Sequence, residues 1–202
     1  MILALDTATP VGSVALCAVE GLVISRYFDV GLQHSQRLFV EIEAALEAAG
    51  IDMDGVRAVA VSIGPGSFTG LRVGLATVQA LALVHARPVI AVSALEALAY
   101  GAILLSSKPE GPLRVGAWMN AHRGEVFGAL YELSQTDRVA WRDGVRCPPL
   151  TEVIGPLVGT AAAVVDAWRE PLQGQEVVEI IGDDVDAALE PLAAAMGAPV
   201  AL

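Results

Sequence analysis

The chain opens with short apolar runs at strand spacing and then changes to helical spacing. Ile2 to Leu5 reads as a first strand ending at Asp6, and Gly12 to Val19 and Leu22 to Asp29 read as two more, joined by tight turns that include Gly21. Leu38, Ile42, Ala45, Leu46 and Ala49 form an apolar stripe, so a helix is predicted from Ser35, a capping residue, to about Ala49, with Gly50 as its stop signal. Ala58 to Ile63 is β-branched and apolar enough for a buried strand, and residues 71–86 again repeat at helical spacing. A strand Val89 to Val92 and a helix from about Ala94 to Leu104, with Ser93 placed to cap it, complete a βββαβαβα order.

Ser106 to Pro112 is rich in breakers, which predicts a boundary between a first lobe, residues 1–105, and a second, residues 112–202. The second half starts over. Leu113 to Met119 is strand-like and ends at Asn120, and Glu125 to Leu133 reads as its hairpin mate, echoing the first two strands. Beyond Trp141 a Pro-rich loop near Cys147 to Pro149, a helix at about Thr160 to Trp168, a strand Val177 to Ile181 and a terminal helix at about 185–196 are expected. The second half reads as a shortened copy of the first.

Between the strand at 58–63 and the helix after it lies Gly64-Pro-Gly-Ser-Phe-Thr-Gly-Leu-Arg-Val-Gly74. A glycine-rich turn at a helix N-terminus leaves backbone N–H groups uncovered where the helix dipole favours an anion, so phosphate binding is its functional reading. The competing reading is that the glycines serve positive φ and close packing. Asp6 admits a similar pair of readings, a carboxylate that holds a metal ion or a water beside a nucleotide phosphate, or a turn-forming Asp that caps local backbone. On the nucleotide reading the contacts are Asp6, Thr7, Gly64, Gly66 and Ser67. The P-loop pattern fails for want of Gly-Lys-Ser/Thr, and the dinucleotide spacing Gly64, Gly66, Gly70 follows three antiparallel-looking strands rather than a first parallel one.

The helix after that turn is apolar nearly all round. Leu71, Leu75, Val78 and Ala82 make a face suited to a sheet, while Val73, Ala80 and Val84, with Thr77 among them, fall opposite. The preceding helix adds Val40, Ala44 and Ala48 on its far side. A short two-layer domain has little chain to cover both faces, which points to a protein partner; the alternative is cover by the second half of the chain.

Composition narrows the classes. Hydrophobic residues make up 54% of 202, enough to bury sizeable cores, and despite a mean hydropathy of +0.58 no uninterrupted apolar run reaches the 18 or so residues of a membrane span. Met1 leads straight into strand-like sequence with no basic leader, so a cytoplasmic location is expected. Two distant cysteines, Cys17 and Cys147, fit a reducing compartment. A net charge of -11 with a single lysine, Lys108, argues against direct binding of nucleic acid. His34, His85 and His122 have no companion at metal spacing, Leu38 standing four residues after His34, and no Ser, His and Asp set or Gly-x-Ser-x-Gly elbow appears.

Four strings point to a family. Ile-Leu-Ala-Leu-Asp-Thr-Ala-Thr at 2–9, His-Ser-Gln-Arg at 34–37, the Gly64 to Gly74 string and Arg-Gly-Glu-Val-Phe at 123–127 resemble the TsaB family, also called YeaZ. The resemblance covers about the first 130 residues in order and is thin from Trp141. It implies an α/β fold of the actin, sugar-kinase and heat-shock-ATPase type, with two RNase H-like lobes of which the second is reduced. It further implies a non-catalytic subunit of the bacterial machinery that places threonylcarbamoyl on the tRNA adenosine beside the anticodon. The implied partners are the catalytic paralogue TsaD and the ATPase TsaE, with tRNA met only indirectly. The paralogue's paired metal histidines are not carried over, since Leu38 stands where the second would be. The implied partner surface maps to Val40, Ala44, Val73, Thr77, Ala80 and Val84, and ATP or ADP is expected only within the complex. Asn120 departs from the family, which more often has Asp there.

Three other readings remain beside it. An independent ATPase or kinase would use Asp6 and the glycine turn, an oxidoreductase rests on glycine spacing alone, and a peptidase lacks its metal ligands. The exposed apolar face also suits a homodimer of the free chain.

Overall fold

A computed structural model describes residues 1–18, 21–29, 34–105, 113–133, 150–173, 178–182 and 191. The predicted connection at 106–112, the Pro-rich loop at 147–149 and, apart from residue 191, the helix at 185–196 lie outside the described residues. The chain packs as two units, Met1–Ala94 and Leu95–Leu202.

In the first unit, β1 (Ile2–Asp6), β2 (Val11–Ala18) and β3 (Gly21–Asp29) form an antiparallel meander, and β4 (Ala58–Ser62) and β5 (Val89–Val92) add in parallel on the other side of β1. The resulting order is β3-β2-β1-β4-β5. Helix α1 (His34–Ala48) crosses from β3 to β4, and α2 (Phe68–His85) from β4 to β5. The strand pattern explains the side they choose. Leu3, Leu5, Val14, Leu16, Val59 and Val61 alternate onto one face and share a core with Leu38, Ile42, Ala45 and Leu46 of α1 and Val78 of α2. Each such Val, Leu or Ile side chain contributes about 1.5–3 kcal/mol on burial. The stripe expected of α1 is thus the face it buries, although the helix opens at His34, one residue ahead of the predicted Ser35 cap.

Helix α3 (Ala94–Leu105) is followed by β6 (Leu113–His122) and β7 (Glu125–Leu133), then β8 (Thr151–Gly159), α4 (Ala161–Leu172) and β9 (Val178–Gly182). The second sheet runs β8-β7-β6-β9, with β6–β7 and β7–β8 antiparallel and β6–β9 parallel. Position for position this repeats β3-β2-β1-β4, with α4 in the place of α1. Both units therefore have RNase H-like topology, the pattern of the actin-like α/β fold. Among the described residues the second sheet has no counterpart of β5. Strand β8 has no counterpart in the sequence reading; Gly155 and Pro156 lie within it, and as the edge of the sheet it tolerates a proline.

The second core is built around Trp168 of α4. Its ring meets Trp118 edge-on, with centroids 5.9 Å apart and planes at 75°. Room for it comes from Gly116 of β6 and Gly128 of β7, over which the ring lies. At the hairpin tip, Arg123 and Gly124 have φ of 56° and 80° between the paired residues His122 and Glu125, and Asn120 Oδ1 accepts a hydrogen bond from His122 N at 2.7 Å.

By length and composition α2, with 18 residues, is long and apolar enough to cross a membrane, although Thr, Gly, Arg and Gln interrupt its apolar residues. Here Gly70, Gly74, Thr77 and Val78 of the helix are buried in the first unit.

Candidate functional site

The glycine turn and the first residues of α2 close onto the end of β1. Ser67 caps the helix, its Oγ accepting from Gly70 N at 3.2 Å, and its own N–H donates to the carbonyl of Ala8 at 2.7 Å. Buried Thr7 (2% exposed) donates from Oγ1 to Gly70 O at 2.8 Å. Asp6 Oδ1 accepts from Ala8 N at 2.8 Å, which is the turn-capping geometry of a strand-end Asp. Gly64 O accepts from Ala94 N at 2.8 Å.

This arrangement accounts for the glycines. A Cβ on Gly66 would run into the carbonyl of Ala8, one on Gly70 into the carbonyl of Thr7, and one on Gly74 would lie 2.5 Å from Thr7 Oγ1. Gly64 and Gly66 also have φ of 107° and 154°. A phosphate cradle needs free N–H groups facing open space. Here the N–H groups of Ser67, Gly70 and Leu71 are engaged by Ala8 O, Ser67 Oγ and Ser67 O, and Thr7 and Ala8 fill the faces of Gly66 and Gly70. The five predicted nucleotide contacts do cluster in one place, yet as folded the turn does not fit a phosphate at those donors.

A second feature lies on the outer side of α1 and α2. An open groove of about 520 Å³ is lined by Phe39 of α1 and by Thr69, Arg72, Val73, Ala76, Thr77 and Ala80 of α2. It brings together Val73, Thr77 and Ala80 of the predicted surface. Thr77 is buried rather than outward-facing, at 5% exposure, and Val73 is half-buried against the core. Ala44 is half-buried, whereas Val40, Ala80 and Val84 are exposed. The buried face of α2 is rotated from the expected one because the helix seats on Gly70 and Gly74 as well as on Val78, so Leu71, Leu75 and Ala82 are only half-buried.

Sequence reasoning also missed residues that the fold exposes on these helices. Phe39, Phe68 and Leu83 stand out there, Leu83 at 85% exposure beside the predicted Val84 at 76%. Arg72 lies 5.3 Å above the Phe68 ring, a cation–π contact at the groove's edge. The signal for Phe68 and Arg72 was their i, i+4 spacing, hidden inside the glycine string. On the β3 side of α1, Glu41 is held by Arg26 and Arg37. Burial pushes its carboxyl upward, but the two guanidiniums outweigh that and hold it below the usual carboxylate value. Among the described residues no three His, Cys, Asp or Glu side chains converge on a metal-sized site.

Comparison with known proteins agrees with this architecture. A family model described as TsaD, tRNA N6-adenosine threonylcarbamoyltransferase, matches residues 29–145. The tRNA threonylcarbamoyladenosine biosynthesis protein TsaB of Escherichia coli (strain K12) is 39% identical over 131 residues, covering 65% of this chain. The chain spans only about half of that relative, 54% of its length. A Pseudomonas aeruginosa crystal structure, of an uncharacterized protein with similarity to peptidase YeaZ, aligns with a TM-score of 0.65 at 32% identity, covering 81% of this chain and 68% of that one. YeaZ from Pseudomonas aeruginosa aligns with a TM-score of 0.60 at 34% identity, covering 75% of this chain and 66% of that one.

Proposed function

The chain belongs to the TsaB/YeaZ family, within the wider TsaD family, and on that premise we propose that it serves tRNA threonylcarbamoyladenosine biosynthesis as a non-catalytic subunit. In this role it binds and activates the catalytic paralogue TsaD. The observation that carries the reading is the outer side of α1 and α2. Phe39, Val40, Phe68, Leu83 and Val84 are exposed there beside an open groove, a concentration of apolar surface that a protein partner would cover.

The ATPase TsaE joins the pair, and tRNA reaches this chain only through its partners. A chain with a net charge of -11 and one lysine has little with which to displace counterions from a phosphate backbone. ATP or ADP belongs to the assembled complex rather than to the glycine turn, whose nearest donors are already engaged. The work takes place in the cytoplasm, and the free chain pairs with itself through the same helices until TsaD displaces its copy.

Reconstitution tests this reading. TsaD, TsaE, a source of threonylcarbamoyl-adenylate and substrate tRNA are combined with and without the chain. Modification is expected to depend on its presence, and undiminished modification in its absence overturns the proposal.

A further inference from the structure

We propose that Thr7 is a positioning residue: with Gly66, Gly70 and Gly74 it forms a seat that sets the height and rotation of α2 on the sheet, and so the pose of the outer face of that helix. The inference rests on the partner-binding role proposed above and deepens it. Gly66, Gly70 and Gly74 recur every four residues and so line up towards one side as the turn winds into the helix. All three meet the same two residues, Thr7 and Ala8, at distances no side chain would permit.

Two hydrogen bonds lock this contact, Ser67 N–H to Ala8 O at 2.7 Å and Thr7 Oγ1–H to Gly70 O at 2.8 Å. The second is the informative one. A carbonyl at that point of a helix is already served by the helix's own ladder, so the Thr7 hydroxyl satisfies no orphaned group there. What it adds is a tie between β1 and α2. The groove has one wall on each helix, Phe39 on α1 and Arg72, Val73 and Ala76 on α2. A change in the height of α2 therefore changes the width of the groove while α1 stays where its own leucine and isoleucine hold it.

Thr7→Val keeps the shape and removes the donor, Thr7→Ser keeps the donor, and Gly74→Ala pushes a methyl group against Thr7 Oγ1. Each is compared with the unaltered chain in two measurements. The first is amide hydrogen exchange of the isolated chain. In T7V, and more so in G74A, amides at 70–74 are expected to exchange roughly tenfold faster while those of β1 and α1 hold their rates, and T7S is expected to match the unaltered chain. The second is calorimetric affinity for TsaD at a temperature where every variant is fully folded. T7V is expected to bind roughly tenfold more weakly, and T7S to bind normally. A lowered melting temperature in T7V with unchanged affinity means a merely structural threonine and overturns the inference.

If T7V does not fold, G74A against T7S decides in the same two assays. If the unaltered chain does not bind TsaD, the proposed function fails by itself. Hydrogen exchange then still judges the seat, which is overturned by unchanged rates at 70–74 in T7V and G74A.

Discussion

Glu41 accepts a hydrogen bond on Oε2 from Arg26 Nε at 2.6 Å, a bond that ties α1 to the edge strand β3. Its other oxygen accepts from Arg37 Nε at 3.0 Å, and the residue is only 3% exposed. A carboxylate buried this far is tolerable because both oxygens face guanidinium groups. The apolar stripe of α1 can therefore carry one acidic residue beside Ile42 without losing its hold on the sheet.

The direction of the shift fixes how Glu41 contributes to stability. Its folded value lies below the unfolded value of about 4.3. The contribution is thus complete above the unfolded value and is lost as pH falls through the folded one. Glu41→Gln is expected to cost about 1–3 kcal/mol near neutral pH, and the gap to the unaltered chain is expected to narrow as pH falls below the unfolded value and through the lowered folded one. Chemical denaturation across that range checks it; a gap of constant size would mean the ion pairs contribute nothing that titrates.

The second core makes a steric prediction. A Cβ on Gly128 would come within 2.5 Å of Val164 Cγ1 and 3.0 Å of the Trp168 ring, and one on Gly116 within 2.5 Å of Ile180 Cδ1 and 2.7 Å of the same ring. Trp168 is fully buried and has nowhere to retreat. Gly128→Ala and Gly116→Ala are each expected to destabilise the second unit by about 1–3 kcal/mol. Tryptophan fluorescence during denaturation reports on this unit through Trp118 and Trp168, and an unshifted midpoint would show that the ring moves freely.

Ser67 separates the two readings of the glycine turn. Ser67→Ala removes the N-cap of α2 and is expected to cost about 1 kcal/mol. If the turn held a phosphate, ATP with magnesium would raise the melting temperature of the isolated chain, and S67A would weaken that rise. With the N–H groups of Ser67, Gly70 and Leu71 committed within the chain, no rise is expected in either protein. Thermal melts with and without the nucleotide decide.

Much of the fold could be read in advance because its signals are local. Leu3 and Leu5, Val14 and Leu16, and Val59 and Val61 alternate as their strands require, and the stripe from Leu38 to Leu46 is a periodicity that packing obeyed. The restart at Leu113 showed in the echo between two strand pairs. What escaped depends on distant contacts. Pro156 breaks a strand unless the strand is an edge, and the edge position of β8 is set by its pairing with β7. Glycine carries no hydrophobic weight, so nothing in the helical pattern says that Gly70 and Gly74 face inward; that is decided by Thr7, more than sixty positions earlier. The same rotation of α2 turned Thr77 from an outward residue into a buried one.

That rotation also decides which charges can probe the partner surface. Val73 is half-buried against the core, so a glutamate there would disturb the fold along with any interface. Ala80 and Val84 are exposed, and a charge at an exposed site changes stability by about 0.5 kcal/mol or less. Ala80→Glu with Val84→Glu is therefore expected to leave the melting temperature of the chain unchanged and to abolish co-purification with TsaD, because an unpaired carboxylate inside a closed interface has lost its water. Thr77→Glu serves as the contrast. At 5% exposure it is expected to lower stability before any partner is added. A complex that survives A80E and V84E together would place the partner somewhere other than on α2.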